Sequence, residues 1–220
     1  IGEILTKTAD NWTCLHFACD RGSHFIAHEL LKLDNSHSSI NALTNERETP
    51  LHLACKSGNY VLVNKLLKIP GVVKQFFTAQ TIKKANVLHF ACLSGNQKLI
   101  HFVFSSLSRQ FGSDVINMKT TSNENILHYA CLSGKASTVS YVNKLTNKKI
   151  DLGEKTIFNE SLLHYACKSG SDEIVNYLKK RHDFDVSQKN IVFFSLNFFV
   201  YFVFFCLFFL WNFFLLFFFK

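Results

Sequence analysis

The chain has 220 residues, of which 48% are hydrophobic and 18% are charged. This composition is typical of a folded globular protein and excludes a chain that is disordered throughout. With only 2 prolines and 9 glycines, it also excludes a collagen-like or proline-rich fibre. The formal net charge is +8, but the basic residues are scattered and form no run of five, so we expect no binding to nucleic acid.

The first segment, residues 1–7, lies before any repeated pattern, and we expect it to be the end of a preceding repeat or a linker. The chain begins with Ile1 rather than methionine, which indicates a fragment or a processed product. No secretory signal precedes the first predicted helix.

Residues 8–189 carry the motif Leu-His-X-Ala-Cys five times, where X is phenylalanine, leucine or tyrosine. A glycine follows each cysteine by three residues, and a threonine, asparagine or serine, all good helix N-caps, precedes each leucine by two. Repetition at this period indicates stacked structural units. The steps between the motif histidines are 36, 37, 39 and 36 residues, and these histidines are His16, His52, His89, His128 and His164.

Each unit is predicted to be a helix, a tight turn and a second helix. The cap residue opens the short first helix, and the glycine ends it in the left-handed conformation. Apolar residues five and eight positions after the glycine lie on one face of the second helix. The predicted units are residues 8–43, 44–80, 81–119, 120–155 and 156–189.

This pattern resembles the ankyrin repeat, a unit of about 33 residues. Residues 49–54, Thr-Pro-Leu-His-Leu-Ala, match the family motif letter for letter. The resemblance implies an all-α ankyrin-repeat α-solenoid, with stacked helix-turn-helix units and short β-hairpin connections. The chain departs from the pattern in that the motif proline occurs once and the second alanine is always cysteine. The hairpin-tip glycine is also replaced, by Asn11, Arg47, Lys84, Asn123 or Asn159.

Asparagine tolerates the left-handed conformation that such a hairpin tip requires. Three of the five tips therefore keep suitable turn chemistry. Arg47 and Lys84 are the tips at which the sequence supports the hairpin geometry least.

In the ankyrin family, partners bind the hairpin tips and the exposed ends of the first helices. Trp12 is the most prominent candidate because aromatic side chains dominate interface energetics. For most of the other positions the alternative is an ordinary solvated surface. The candidate partner-binding residues are Asp10, Trp12, Asp20, Arg21, Asn45, Glu46, Glu48, Lys56, Lys83, Leu93, Ser122, Glu124, Leu132, Phe158, Glu160 and Lys168.

A His-X-X-Cys pair recurs in all five units, and such spacing also occurs at zinc sites. A structural zinc ion needs four converging ligands, however, and equivalent positions on packed helices lie about 10 Å apart. That separation is too large for two pairs to share one ion. We therefore expect no metal, and predict that each histidine hydrogen-bonds the backbone near the hairpin while each cysteine is a small apolar core residue.

The 7 cysteines do not predict disulfides. The expected separation of about 10 Å exceeds the limit of about 7 Å between the Cα atoms of a bridged pair. Lone buried thiols, with Cys14 and Cys206 lacking any evident partner, indicate a reducing compartment. No P-loop, dinucleotide fingerprint, kinase or hydrolase motif occurs, so we expect no enzyme activity, no cofactor and no small-molecule substrate.

Residues 190–220 form a Phe-rich hydrophobic tail, in which 191–219 contain no charged residue. Because about 20 apolar residues span a bilayer as a helix, this tail is a candidate transmembrane helix. Lys179, Lys180, Arg181 and Lys189 precede it, whereas Lys220 alone follows it. The positive-inside rule would then place the repeats on the cytoplasmic side.

The alternative is that the tail is translated from an intron rich in thymine, whose codons give this composition. Residues 185–190 parallel residues 151–156, so a sixth repeat begins and stops where the phenylalanines start. On this interpretation, we expect Ile174 and Leu178 to face outward, where a sixth unit would cover them. The sequence supports both interpretations.

The function favoured by the sequence is a protein–protein interaction scaffold that binds partner proteins through the concave face of the repeat stack, and that is membrane-tethered when the tail is a genuine span. The alternative is the recruitment or regulatory arm of a larger ankyrin-containing channel or enzyme, for example a palmitoyltransferase or a kinase, with the functional domain outside this chain. We expect the repeats to face the cytoplasm when the tail spans a membrane, and a cytosolic or nuclear location otherwise.

Overall fold

The computed structural model describes residues 5–34, 38–69, 72 and 78–180, apart from the side chain of Ser113. These residues belong to one compact unit, Ile1–Lys180. The hydrophobic tail at 190–220 and the end of the fifth predicted repeat lie outside the described residues. Within the described segments, no helix combines the length and the hydrophobicity that crossing a bilayer requires.

The described residues form ten α-helices in five successive pairs, one pair within each predicted unit. We call the first helix of a pair inner and the second outer. The inner helices pack in a row, each against the inner helix of the next pair. The pairs are α1 (Cys14–Asp20) with α2 (His24–Leu33), α3 (Pro50–Ser57) with α4 (Tyr60–Leu66), α5 (Val87–Ser94) with α6 (Gln97–Phe111), α7 (Ile126–Leu132) with α8 (Ala136–Leu145), and α9 (Leu162–Lys168) with α10 (Asp172–Lys179).

The repeated residues set the bounds of the inner helices. Thr13, Thr49, Asn86, Asn125 and Ser161 are the N-cap residues in extended conformation, as the sequence predicts. A glycine with positive φ, between 66° and 75°, follows every inner helix. Because the left-handed region costs glycine nothing, each inner helix ends there and the chain reverses into the outer helix.

The core lies between the inner and outer helices and between successive pairs. The motif leucines and alanines are buried at every repeat. The motif cysteines are free thiols, buried in the first four repeats and half-buried at Cys167. Burial raises the pKa of the Cys19 thiol to about 12, and a nearby Asp20 adds to this effect, so the thiol stays neutral. Cys14, in contrast, is exposed and is not a core residue.

The predicted β-hairpins are present only as tight turns, because the described residues contain no strand. All five tips share one conformation, with φ between 60° and 63°. At Arg47 and Lys84 the tip N–H donates to the carbonyl three residues back at 2.9 Å, so these tips match the asparagine tips. Successive tips are joined by single backbone bonds, such as Asn45 N–H to Asp10 C=O at 3.0 Å, which are too few to build a ladder.

The third pair is longer than the others and explains the step of 39 residues between His89 and His128. Its outer helix α6 has 15 residues, whereas α2 and α8 have 10 each. A 3₁₀ turn, Gly112–Asn117, then leads to the next tip. The additional residues therefore lie on the outer side and leave the row of inner helices unchanged.

The expectation that Ile174 and Leu178 face outward is wrong, since both side chains are 0% exposed. They lie on α10 at the places that Leu62 and Leu66 occupy on α4. Helix α10 packs against its own inner helix α9 and against α8, the outer helix of the preceding pair. Both residues belong to the core of the fifth pair itself and carry no information about a sixth.

Candidate functional site

The motif histidines close the N-termini of the inner helices. In each one, Nδ1 accepts a hydrogen bond from the backbone N–H of the N-cap residue, at distances of 3.1 to 3.4 Å. Each histidine is thus the N3 partner of a reciprocal capping box, which satisfies backbone donors that a helix start leaves free. Four of the rings are fully buried, and His164 is half-buried.

Burial also fixes the protonation state of the histidines. It lowers the pKa of His52, His89 and His128 to about 4, so these rings are neutral near pH 7. In His16, where Nδ1 accepts, the ring proton lies on Nε2, and that atom donates to the carbonyl of Glu48 at 3.3 Å. In His52, His89 and His128, Nε2 makes no hydrogen bond of good geometry among the described residues. These rings have no access to solvent for acid–base chemistry.

The histidines and cysteines are not arranged as metal ligands. Among the described residues, no group of three or more His, Cys, Asp or Glu side chains converges as a metal site would require. The histidine rings contact aromatic side chains of the next repeat instead: His52 meets Phe90 at 5.0 Å, and His89 meets Tyr129 at 5.0 Å, between ring centroids. These edge-to-face contacts bind each repeat to its neighbour.

The candidate partner-binding residues lie on two connected surfaces, the tips and the solvent-facing side of the inner helices. Each surface carries both exposed and half-buried candidates. The exposed ones are Asp10, Arg21, Asn45, Glu46, Lys56, Lys83, Phe158 and Lys168. The half-buried ones are Trp12, Asp20, Glu48, Leu93, Ser122, Glu124, Leu132 and Glu160.

Several of these side chains are engaged within the protein. Lys56 Nζ pairs with Asp20 Oδ1 at 2.9 Å, which joins the first two repeats. Lys168 Nζ pairs with Glu160 Oε1 at 2.7 Å. The Trp12 ring packs on Phe17 at 4.9 Å between centroids, so it is half-buried rather than projecting. The stacking of repeats brings Lys56 and Asp20 together across a gap of 36 residues, whereas the other two contacts lie within one repeat.

The residue immediately before each N-cap forms a second repeated series on the same face. It is Trp12 in the first repeat, a small Ala85 in the third and a glutamate in the other three. Glu124 accepts hydrogen bonds from the Thr120 hydroxyl at 2.9 Å and from the Tyr165 hydroxyl. This position is thus apolar in the first and third repeats and a carboxylate in the second, fourth and fifth.

Two kinds of residue near this face were not predicted from the sequence: the half-buried Tyr129 with the buried Tyr165, and two exposed isoleucines. Tyr129 and Tyr165, at position X of the motif, contribute their rings and hydroxyls beside the glutamates. Ile82 and Ile157 are 55% and 66% exposed at the tips, next to the candidates already named. The sequence does indicate a role for these tyrosines, because an aromatic residue occupies position X in four of the five motifs.

Comparison with known families agrees with this geometry. The family model described as Ankyrin repeats (3 copies) matches residues 2–77 and 88–190, which is well over half of the chain. No curated protein matches the sequence.

Proposed function

The chain belongs to the ankyrin-repeat family, and we propose that it is a scaffold that binds partner proteins through the tips and the solvent-facing side of its inner helices. Ankyrin repeats are generally non-catalytic protein–protein interaction modules. The concave face of the predicted solenoid is this same surface. The proposed partners are other proteins.

One observation carries this proposal: a constant core supports a surface that changes from repeat to repeat. The leucine, histidine, alanine and cysteine of the motif are identical in all five copies. The residue directly after each motif cysteine, on the solvent side, is instead aspartate, lysine, leucine, leucine and lysine in turn. Stacking requires the constant residues, whereas a varied surface over them supplies the selectivity of a binding face.

Site-specific photo-crosslinking tests the proposal. A photoreactive amino acid at Leu93, on α5, is expected to form crosslinks to partner proteins in cells that express the chain. The same amino acid at Lys98, which is exposed on the outer helix α6, is the matched control. Crosslinks from Lys98 but none from Leu93 would contradict binding through the inner-helix face.

The tail supports a membrane-tethered form of the same scaffold. Residues 191–219 contain no charge, and the basic residues just before them favour a cytoplasmic position for the repeats. A tether of this kind confines the binding face to a membrane surface, where it concentrates its partners. Membrane fractionation of the expressed chain tests this form.

A further inference from the structure

The first helix pair exposes three side chains at positions that are covered in the rest of the stack. Phe17, at position X of the motif on α1, is 49% exposed, and Ile26 on α2 is 53% exposed. Cys14, the first residue of α1, is exposed as well. Trp12 packs on the Phe17 ring at 4.9 Å between centroids but leaves half of it open to solvent.

The equivalent residues of the four later pairs form a buried series. Those of Cys14 and Ile26 are buried in every pair, and those of Phe17 are buried in three pairs and half-buried in the fourth repeat. The equivalents are Pro50, Val87, Ile126 and Leu162 for Cys14, then Leu53, Phe90, Tyr129 and Tyr165 for Phe17, and Leu62, Leu99, Thr138 and Ile174 for Ile26. Each of these later pairs has another pair before it in the row.

The contacts of the later pairs show what covers these positions. Position X meets the motif histidine of the preceding pair, as Phe90 meets His52 at 5.0 Å between ring centroids, and the same contact recurs in the next two pairs. The Thr138 hydroxyl, at the position of Ile26, donates to the carbonyl of Gly95 at 3.3 Å, which lies in the turn of the preceding pair. The exposed face of the first pair therefore continues a series of four interfaces, each made with the pair before it.

Phe25 shows that the exposure of these three residues is specific to this face. It is exposed on α2, next to Ile26, but this position is exposed in all five pairs. Its equivalents are Val61, Lys98, Ser137 and Glu173. A preceding pair thus leaves the position of Phe25 in solvent and covers the positions of Cys14, Phe17 and Ile26.

We propose that a further helix pair of the same repeat type, contributed by the native protein before Ile1, packs on the face formed by Cys14, Phe17 and Ile26. Its inner helix places a histidine ring against Phe17, as each later pair receives from the pair before it. Stacking of this kind buries apolar surface that a single repeat leaves open. The face is separate from the tips and the solvent-facing side of the inner helices, so the inference does not rest on the proposed function.

The native transcript tests whether this pair exists. Because the steps between motif histidines range from 36 to 39 residues, the sequence before the codon for Ile1 should encode a histidine 36 to 39 residues before His16. A glycine should follow that histidine by six residues, as it does in all five motifs. A native transcript that encodes no such motif would overturn the proposal.

Thiol alkylation tests whether the pair covers the face. Cys14 of the 220-residue chain should react readily with iodoacetamide, because its side chain is exposed. In the chain extended by the encoded upstream repeat, the rate at Cys14 should fall by about tenfold or more, since the thiol then reacts only when the added pair opens. Mass spectrometry of the peptide that contains Cys14 measures both rates.

A pair of substitutions provides a second measurement. Phe17→Ser should lower the melting temperature of the extended chain more than that of the 220-residue chain, because only the extended chain buries the ring. Phe25→Ser is the matched control and should change both melting temperatures equally, since its position stays exposed in every pair. Circular dichroism of each variant verifies that the helices are retained.

Three results would overturn the proposal. Cys14 could react equally fast in the two chains, or Phe17→Ser could have the same effect on both. Protection of Cys14 in the 220-residue chain that increases with protein concentration would show that a second copy covers the face instead. None of these results bears on partner binding through Leu93, which photo-crosslinking tests separately.

Discussion

At the scale of single residues, the motif histidine has a structural role, although its spacing to the motif cysteine is also typical of metal sites. The pattern His-X-X-Cys is compatible with metal binding, but Nδ1 of each histidine accepts the N-cap N–H of its own helix. The sequence predicted a backbone partner for these rings. It could not predict their contacts with Phe90 or Tyr129, because those depend on how closely successive repeats approach.

The buried histidines make stability depend on pH. Their pKa falls from 6.5 in the unfolded chain to about 4 in the fold for His52, His89 and His128. Below pH 6.5 the unfolded chain binds protons at these histidines that the folded chain does not. The contribution of the neutral rings to the free energy of unfolding is therefore fully present above pH 6.5 and is lost as the pH falls toward 4. Each ring accounts for about 3.5 kcal/mol at most, at about 1.4 kcal/mol per pKa unit.

Urea unfolding at pH 7, 5.5 and 4.5 measures this loss. The free energy of unfolding should fall steadily across the series. His89→Gln removes one titrating ring, so the variant should start from a lower stability at pH 7 but lose less on acidification. Equal slopes for the two proteins would contradict the assignment to buried histidines.

Asn143 is a further polar residue whose side chain is buried. Its side chain is 1% exposed, and neither its amide nitrogen nor its amide oxygen has a hydrogen-bond partner among the described residues. Leu31 and Leu67 occupy the equivalent places in the first two repeats. A buried amide without partners costs free energy that an apolar side chain of similar shape does not.

Asn143→Leu should therefore raise the free energy of unfolding by about 1–2 kcal/mol in a urea titration. Asn86→Leu is the contrasting substitution, because Asn86 accepts the backbone N–H of Leu88 at 3.0 Å as a helix cap. That variant should lose about 1 kcal/mol. A destabilised Asn143→Leu protein would show that the amide has a partner, such as an ordered water molecule.

At the scale of the structural elements, the helix pairs follow from the repeated caps and glycines, and the sequence predicted them in order. The hairpin connections were predicted less well. Their tips form, but each tip has a single backbone–backbone hydrogen bond to the next, such as Ile82 N–H to Glu46 C=O at 3.0 Å, and no strand results among the described residues. Neither could the sequence predict whether Arg47 and Lys84 adopt the left-handed turn, since their side chains disfavour it.

These two tips contain strain that glycine would remove. Lys84 has φ of 60°, a region that costs a residue with a Cβ atom about 1 kcal/mol. Lys84→Gly should raise the free energy of unfolding by up to about 1 kcal/mol, less the entropy that glycine adds to the unfolded chain. Lys83→Gly, at the adjacent residue without a positive φ, should be neutral or destabilising. Thermal unfolding of both variants measures the difference, and equal melting temperatures would exclude strain at the tip.

At the scale of the whole molecule, the sequence predicted a stack of repeats with a varied face, but not which surface charges neutralise one another. The ion pair of Lys56 with Asp20 joins side chains 36 residues apart. It forms because stacked repeats place equivalent positions side by side. Glu48 is left without such a pair for the same reason, since Lys56 is already engaged.

The tail determines where such a face operates, and its composition yields the last prediction. Residues 191–219 are uncharged and long enough for about one bilayer crossing. We therefore expect the 220-residue chain, expressed in a eukaryotic cell, to stay with the membrane fraction on alkaline carbonate extraction. A chain that ends at Lys180 is the control and should be released.

The side on which the repeats lie follows from charge. Lys179, Lys180, Arg181 and Lys189 precede the tail, and Lys220 alone follows it, so the repeats should be on the cytosolic side. Protease added to intact microsomes should then digest the repeats without detergent. Release of the full chain by carbonate would exclude the tethered form, and protection of the repeats from protease would contradict the orientation.

The membrane experiments use a chain that is expressed with its tail, so they do not show whether cells produce the tail. Sequencing of the native transcript after the codon for Asn190 shows this separately. A spliced sixth repeat in place of the phenylalanines would assign the tail to an intron.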